Sequence, residues 1–229
     1  MQGLYRLRLS HAMEAVRELA RKLFDSGGAH EDLVEDEFVA SIEAVRDLDA
    51  AHLERLRQVH LEFDDELRPM ERPSIQRHRE ELAQELGEAS GLCVAGGHVV
   101  ILLNRLRLFD PIGLVGDVPI FAWSAGAMVL GPRVVVFHDS PPQGPGNAEV
   151  LEAGLGLYEE LVPLPHAAER LQLEDPLRVC VFARRFAPDA CVTLDPLAGL
   201  IRRGGAWDAL PATSRLSHDG RLVAAGGAR

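Results

Sequence analysis

The run Val118-Pro-Ile-Phe-Ala-Trp-Ser-Ala-Gly-Ala-Met-Val-Leu130 joins an apolar strand to small, helix-forming residues, and Ser124 stands at the junction. A serine on a sharp strand-to-helix turn presents its hydroxyl outside the sheet, and the turn closes only when the residues two before and two after it are small. Ala122 and Gly126 meet that requirement. The pattern predicts a nucleophile elbow, in which an activated hydroxyl attacks an acyl carbon.

Strand-like and helix-like segments alternate from Gly91 onward. The predicted strands are 91–97, 118–123, 133–138, 177–184 and 191–194, and the predicted helices are 99–108, the segment after Ser124, and 167–173. Such alternation predicts an α/β fold with a mostly parallel sheet flanked by helices and with ligands at the carboxyl ends of the strands. Gly96, Gly97 and Ser124 all fall at predicted strand ends.

Residues 1–90 have a different sequence pattern, because their apolar residues recur at helical spacing. We predict helices over 11–24, 33–48, 50–67 and 74–86, and a short strand at 4–9. The sequence therefore predicts an atypical, mainly helical N-terminal region at 1–90, packed on an α/β core at 91–229.

The charge of the chain is strongly acidic and unevenly spread. The 229 residues carry a formal net charge of -11, and residues 1–90 alone hold 12 Lys and Arg against 21 Asp and Glu. An acidic surface repels phosphate, which argues against nucleic acid and anionic membrane as partners. We interpret the acidic helices as a solvated surface rather than a partner-binding tail.

The remaining composition indicates an ordinary cytoplasmic protein. The chain shows no apolar run of membrane-spanning length and no signal-peptide pattern at its start. Cys93, Cys180 and Cys191 lie in apolar segments without metal-ligand spacing, so we expect three buried thiols. We expect no metal and no cofactor.

A serine hydroxyl needs a base to take its proton, and the base needs a third group to fix its tautomer. Asp139 and His166 follow Ser124 in the order seen in hydrolases with elbow nucleophiles, and each follows an extended segment. His138 competes with His166 as the base, and Asp139 could simply cap a loop. The Ala125 amide and the Gly96-Gly97 turn are candidates for an oxyanion hole.

Five motifs together resemble one known family: Ala95-Gly-Gly-His98, Leu102-Leu-Asn104, Trp123-Ser-Ala-Gly-Ala127, Asp139 and Pro165-His166. The resemblance is to peptidase E (aspartyl dipeptidase) and cyanophycinase, serine hydrolases of the class I glutamine amidotransferase-like superfamily, and it covers roughly residues 75 to 205. It implies a flavodoxin-like fold.

The resemblance also implies roles for individual residues. Ser124 corresponds to the nucleophile, His166 to the base and Asp139 to the acidic residue of a catalytic triad. Gly96 and Gly97 correspond to the oxyanion hole. We therefore predict a serine hydrolase that cleaves a peptide or isopeptide amide of a small substrate.

Substrate binding is less defined by the sequence. The candidates are His98, Trp123, Arg133, Arg184 and Arg185, because arginine suits an acidic substrate group. Two other functions stay open: an esterase or other acyl hydrolase with the same triad, and a catalytically inactive scaffold that binds a partner through its acidic helices. The helical region could cover a sheet edge within the chain or across a homodimer.

Overall fold

The computed structural model describes residues 2–25, 31–139 and 146–226. The α-helices in these ranges are α1 (Gln2–Asp25), α2 (Glu31–Leu67), α3 (Pro73–Leu86), α4 (Val99–Phe109), α5 (Pro111–Val115), α6 (Ala125–Leu130), α7 (Ala167–Arg170) and α8 (Pro176–Phe186), and a 3-10 helix spans Pro69–Glu71. The strands are β1 (Leu92–Val94), β2 (Ile120–Ala122), β3 (Arg133–Val136), β4 (Glu149–Ala153), β5 (Leu161–Pro165), β6 (Ala190–Leu194), β7 (Leu200–Arg203), β8 (Ala206–Ala209), β9 (Ser214–Leu216) and β10 (Leu222–Ala224).

The N-terminal region is helical, as predicted. The expected strand at 4–9 is wrong, because α1 begins at Gln2 and buries Tyr5, Leu9 and Met13 on one face. These residues continue the helical spacing of Val16 and Ala20 backward along the chain, so burial of a single apolar stripe decides the conformation. The predicted segments 33–48 and 50–67 form the single helix α2.

Within the described ranges, the strands form four small sheets rather than one mostly parallel sheet. β1 pairs with β2 and β5 pairs with β6 in parallel. β9 runs antiparallel to both β6 and β10, and β7 and β8 form an antiparallel hairpin. β3 pairs with β4. The mixed α/β class and the parallel pairs agree with the sequence, whereas the extent of the parallel sheet does not.

The segment 177–184 is a helix and not the predicted strand. The side chain of Asp175 accepts hydrogen bonds from the amides of Leu177 and Arg178, and Pro176 occupies the first helical position. This capping arrangement satisfies the free amides at the helix start, and α8 then buries apolar residues on most of its surface.

The thiols differ from the expectation at one position. Cys180 and Cys191 are buried, as predicted, but Cys93 is exposed. Cys93 points away from the buried Val94 because successive strand residues face opposite sides. No helix in the described ranges has both the length and the apolar character needed to cross a membrane.

The chain divides into two compact units. Unit 1 contains residues 1–52, 135–151 and 159–229, and unit 2 contains residues 53–134 and 152–158. The interior of unit 1 holds Phe38, Phe182 and Phe186. The interior of unit 2 holds Leu103 and Val129, and α4 packs against α6.

Candidate functional site

Ser124 has an unusual backbone conformation at the junction of β2 and α6. Its φ is 55° and its ψ is -128°, which places a residue other than glycine in a sparsely populated region. The Trp123 amide donates to the carbonyl of Val94, and the Gly126 amide donates to the carbonyl of Trp123. The chain therefore turns sharply at the serine, which is the strand-to-helix turn that the sequence predicted, and the backbone of the serine is strained there.

Two glycines make room for this turn. A Cβ on Gly96 would lie 2.9 Å from the Cβ of Ser124 and 3.0 Å from its Oγ. A Cβ on Gly126 would overlap the carbonyl oxygen of Val94 in β1. The Ser124 side chain thus lies beside Gly96, and α6 can approach β1 only because position 126 has no side chain.

The candidate oxyanion donors lie in the same unit as the serine. Ala125 is the first residue of α6, so its amide has no acceptor within the helix. Gly97 has a φ of 138°, a conformation that favours glycine, and it is exposed. The roles of Gly96, Gly97 and Ala125 in binding an oxyanion stay predictions.

His166 follows β5 in unit 1 and is exposed. Its φ of 58° and ψ of 38° place it in the left-handed region, and α7 begins directly after it. Pro165 pairs in parallel register with Leu194, so His166 and Asp195 both follow the carboxyl ends of neighbouring strands. The histidine therefore lies at a strand end, as predicted.

Asp195 is a carboxylate that the sequence left without a role. Its Oδ1 accepts a hydrogen bond of 3.1 Å from the amide of Ala168, in the first turn after His166. The residue could have been found by asking which acidic side chain ends the strand beside β5, but this question requires the strand pairing.

Asp139 also reaches the segment that follows His166. Its carboxylate forms a bidentate ion pair with Arg178, with distances of 2.9 Å to Nε and 2.5 Å to Nη2 from Oδ1. Its Oδ2 accepts from the amide of Gln172 at 2.9 Å. No hydrogen bond joins Asp139 to His166 in the described part of the chain, and the predicted direct role of Asp139 stays a prediction.

The predicted substrate-binding residues occupy varied positions. Trp123 is 51% exposed beside the nucleophile. His98 is exposed and precedes α4 without capping it through its side chain. Arg133 is half-buried in β3. Arg184 donates from Nε to the carbonyl of His218 at 3.3 Å and lies over the ring of Phe38.

Arg185 is not available to a substrate, contrary to its candidacy. It is only 3% exposed and forms a bidentate ion pair with Asp49. Its Nη1 donates to the carbonyl of Ala148 at 2.7 Å. The helical position on the buried face of α8 explains why the arginine points inward.

The candidate residues are divided between the two units. Unit 2 contains Gly96, Gly97, His98, Trp123, Ser124, Ala125 and Arg133, and unit 1 contains Asp139, His166, Arg178, Arg184 and Asp195.

Comparison with known proteins identifies a family and finds similar solved structures. The model of peptidase family S51 matches residues 43–183, more than half of the chain. A crystal structure from Listeria monocytogenes EGD-e, of a protein that bears a provisional designation as peptidase E, is similar at 18% identity and a TM-score of 0.39. The similarity covers 60% of this chain and 65% of that one, just under two thirds of its length. No curated protein matches the chain.

Proposed function

Because the chain belongs to peptidase family S51, we propose that it is a serine hydrolase that cleaves a peptide or isopeptide amide with Ser124 as nucleophile. The observation that carries the proposal is the backbone of Ser124, strained at φ 55° and ψ -128° between a strand and a helix. Strain of this kind costs about 1 to 3 kcal/mol and persists where the surrounding structure enforces it, which is typical of functional sites.

In the proposed reaction, His166 accepts the proton of the Ser124 hydroxyl while Oγ attacks the substrate carbonyl carbon. The resulting oxyanion accepts hydrogen bonds from the amides of Ala125 and the Gly96-Gly97 turn. Each such donor stabilises the transition state by about 3 to 4 kcal/mol. Protonated His166 then gives its proton to the leaving amine. In the second half of the reaction, His166 takes a proton from water as the water attacks the acyl-enzyme, and it returns this proton to Oγ of Ser124 as the acid product leaves.

Two carboxylates are candidates for the group that orients His166. Asp139 is the residue that the sequence and the family resemblance indicate, but its carboxylate bonds Arg178 and the Gln172 amide rather than the imidazole. Asp195 follows the strand next to His166 and already contacts the Ala168 amide. These contacts favour Asp195 as the direct partner of the imidazole and Asp139 as an indirect one.

Substrate recognition is proposed for the exposed groups near the nucleophile and for two arginines. Trp123 and His98 offer an aromatic surface and a polar ring in unit 2. Arg133 and Arg184 are the proposed ligands of an acidic substrate group, because a guanidinium binds carboxylates in a two-pronged geometry.

The test is labelling with a fluorophosphonate, in which Oγ of the active serine displaces fluoride from phosphorus. We expect wild-type protein to be labelled at Ser124, Ser124→Ala to be unlabelled, and Ser90→Ala, which changes an exposed serine of the same unit, to be labelled like wild type. A dipeptide and isopeptide library then identifies the bond cleaved. Unlabelled wild-type protein, under conditions in which a related peptidase reacts, would contradict the proposal.

A second candidate function is that of an inactive scaffold which assembles through its acidic helices. The observation that favours it is a stripe on α2, formed by Val59, Phe63 and Leu67, which are 42%, 49% and 41% exposed. Residues four apart share one helix face, and exposed apolar faces commonly mark interfaces. This function predicts that light scattering detects a homodimer for wild-type protein and a monomer for Phe63→Glu. It also predicts that wild-type protein hydrolyses no member of the dipeptide and isopeptide library.

A further inference from the structure

The carboxylate of Asp139 is held by an arginine of α8. Arg178 donates from Nε to both carboxylate oxygens, at 2.9 and 3.0 Å, and from Nη2 to Oδ1 at 2.5 Å. The Asp139 side chain is 9% exposed and the Arg178 side chain 17%, so little water competes for the pair. Arg178 also lies over the ring of Phe182, which fixes the guanidinium plane. The pair is thus a well-defined contact rather than a mobile surface ion pair.

Asp139 in turn holds the segment that follows His166. Its amide donates to the carbonyl of Arg170 at 2.7 Å, and its Oδ2 accepts from the amide of Gln172 at 2.9 Å. Both contacts fall at or just after the carboxyl end of α7, the one-turn helix that begins directly after His166. The amide of Arg170 donates back to the carbonyl of His166 at 3.1 Å. A short chain of hydrogen bonds therefore connects Arg178 with the backbone of His166.

The helix α7 needs such anchors because it has only four residues. An isolated helix of this length is not stable in water, so its position is set by what it contacts. On its amino-terminal side, the His166 amide lies 3.4 Å from the carbonyl of Leu194 and Ala168 donates to Asp195. On its carboxyl-terminal side, Asp139 bonds the Arg170 carbonyl and the Gln172 amide, and Leu171 is buried. Left-handed conformations of residues other than glycine persist where surrounding contacts enforce them, and His166 has such contacts on both sides of α7.

We propose that Arg178 is a positioning residue for His166 and that it acts through Asp139. Arg178 fixes the Asp139 carboxylate, Asp139 fixes residues 170 and 172, and this arrangement sets the direction of the imidazole at the start of α7. Asp139 then contributes to the reaction without contacting the imidazole or the substrate. The inference rests on the proposed function, in which His166 is the catalytic base.

The inference makes a prediction opposite to that of a direct role for Asp139. If Asp139 bonded the imidazole itself, its carboxylate could keep this bond without Arg178, so changes at Asp139 would impair the base more than changes at Arg178. If Asp139 and Arg178 act as one unit, changing either residue causes the same loss, and changing both causes no further loss.

The experiment compares the rate of fluorophosphonate labelling of Ser124 in Arg178→Met, Asp139→Asn and the double variant. A displacement of a catalytic group by 1 Å costs about 100-fold in rate, so we expect losses of about this size or smaller in both single variants. The double variant should be no slower than the slower single variant. Arg178→Lys keeps the positive charge and should disturb folding less than Arg178→Met. Its labelling rate should lie between those of Arg178→Met and wild type.

A matched control is Arg6→Met, which removes an ion pair with Glu149 in the same unit. This variant should be labelled at the wild-type rate. Normal labelling of Arg178→Met with slow labelling of Asp139→Asn would overturn the inference in favour of a direct role. Normal labelling of both single variants would exclude any role of the pair.

A second measurement does not depend on activity. Amide hydrogen exchange at Gln172 and Ala168, and the NMR signals of the His166 ring, report the position of α7 directly. We expect faster exchange at both amides and a changed ring signal in Arg178→Met and Asp139→Asn, with the rest of unit 1 unchanged. Unlabelled wild-type protein would contradict the proposed function, whereas unchanged exchange and ring signals would contradict the positioning role.

Discussion

Arg185 and Asp49 form a bidentate ion pair in the interior of unit 1. Nε of Arg185 lies 2.7 Å from Oδ2 of Asp49, Nη2 lies 2.8 Å from Oδ1, and neither residue is more than 5% exposed. The hydroxyl of Tyr5 donates to Oδ1 of Asp49 at 2.7 Å and accepts from the amide of Val150 at 3.1 Å. One polar cluster therefore joins α1, α2, α8 and β4.

The first prediction concerns this ion pair. Arg185→Met leaves the Asp49 carboxylate buried without its cation, and removal of one partner of a buried pair costs about 3 to 5 kcal/mol. We expect a loss of this size in the free energy of unfolding, measured with urea. Arg6→Met, which removes a largely exposed pair with Glu149, should cost less than about 1 kcal/mol.

The double variant Asp49→Leu with Arg185→Met tests whether the loss of stability comes from the unpaired charge. Apolar residues in place of both charges remove the unpaired charge, so the double variant should be more stable than Arg185→Met alone. A double variant that is less stable than the single variant would show that the contacts of Asp49 with Tyr5 matter more than the charge pairing.

The second prediction concerns the two tyrosines of the chain, Tyr5 and Tyr158. Burial raises the pKa of both phenols above the ordinary value, and the nearby Asp49 carboxylate raises that of Tyr5 further. The native state therefore holds the phenolic protons more tightly than the unfolded state, so stability is retained below the unfolded pKa of about 10 and falls as the pH rises above it.

The measurement is an alkaline titration followed by phenolate absorbance and circular dichroism together. Folded protein should show little phenolate at pH values where protein in guanidinium chloride is half ionised. The absorbance should rise only as the circular dichroism signal is lost. A phenolate step near pH 10 in protein that remains folded would contradict the raised pKa of the tyrosine that ionises.

The parts of the structure that the sequence predicted are those set by local geometry. The elbow at Ser124 depends on small residues within two positions of the serine, and these residues can be recognised in a single sequence. The partner of Asp139 lies 39 residues away on α8, and the proximity of His166 and Asp195 depends on the pairing of β5 with β6. Contacts of this kind are set by tertiary structure and have no local signature.

The error at α8 has a different cause, because its signal was present in the sequence. Val179 and Val181 favour a strand, and the segment 177–184 is apolar enough for a buried one. Asp175-Pro176 is nevertheless a typical helix start, with a capping carboxylate followed by proline at the first position. Capping and a buried helical face outweigh the strand propensity of two β-branched residues.

The third prediction tests the packing of the elbow with glycine-to-alanine variants. Gly126→Ala forces a methyl group into the backbone of β1, which we expect to cost about 1 to 3 kcal/mol of stability or more. Gly96→Ala places its Cβ 3.0 Å from Oγ of Ser124, so we expect slower fluorophosphonate labelling with a smaller change in stability.

Gly3→Ala is the matched control for these two variants, because a Cβ there meets no atom within 4 Å. Gly3 lies in α1, where alanine is favoured over glycine, so this variant should gain up to about 1 kcal/mol in urea unfolding and be labelled normally. A Gly126→Ala variant as stable as wild type would contradict the close approach of α6 to β1.

The fourth prediction concerns His218, which lies near three arginines at the carboxyl-terminal side of α8. Burial lowers the pKa of this histidine below its ordinary value, and the positive charges of Arg184 and Arg215 lower it further, while Asp219 opposes the effect. Arg215→Gln should therefore raise the pKa of His218, and Asp219→Asn should lower it, as measured by NMR titration of the imidazole ring.

The sign of the stability effect follows from the same shift. The native state binds the proton of His218 less tightly than the unfolded state. The stability that neutral His218 contributes to the native state is therefore present above the unfolded pKa of about 6.5, and it is lost as the pH falls through the folded pKa. Arg215→Gln should reduce this acid sensitivity, because the folded pKa moves toward the unfolded one. Equal pKa values in wild type and in both variants would show that the arginines and Asp219 do not act on the ring.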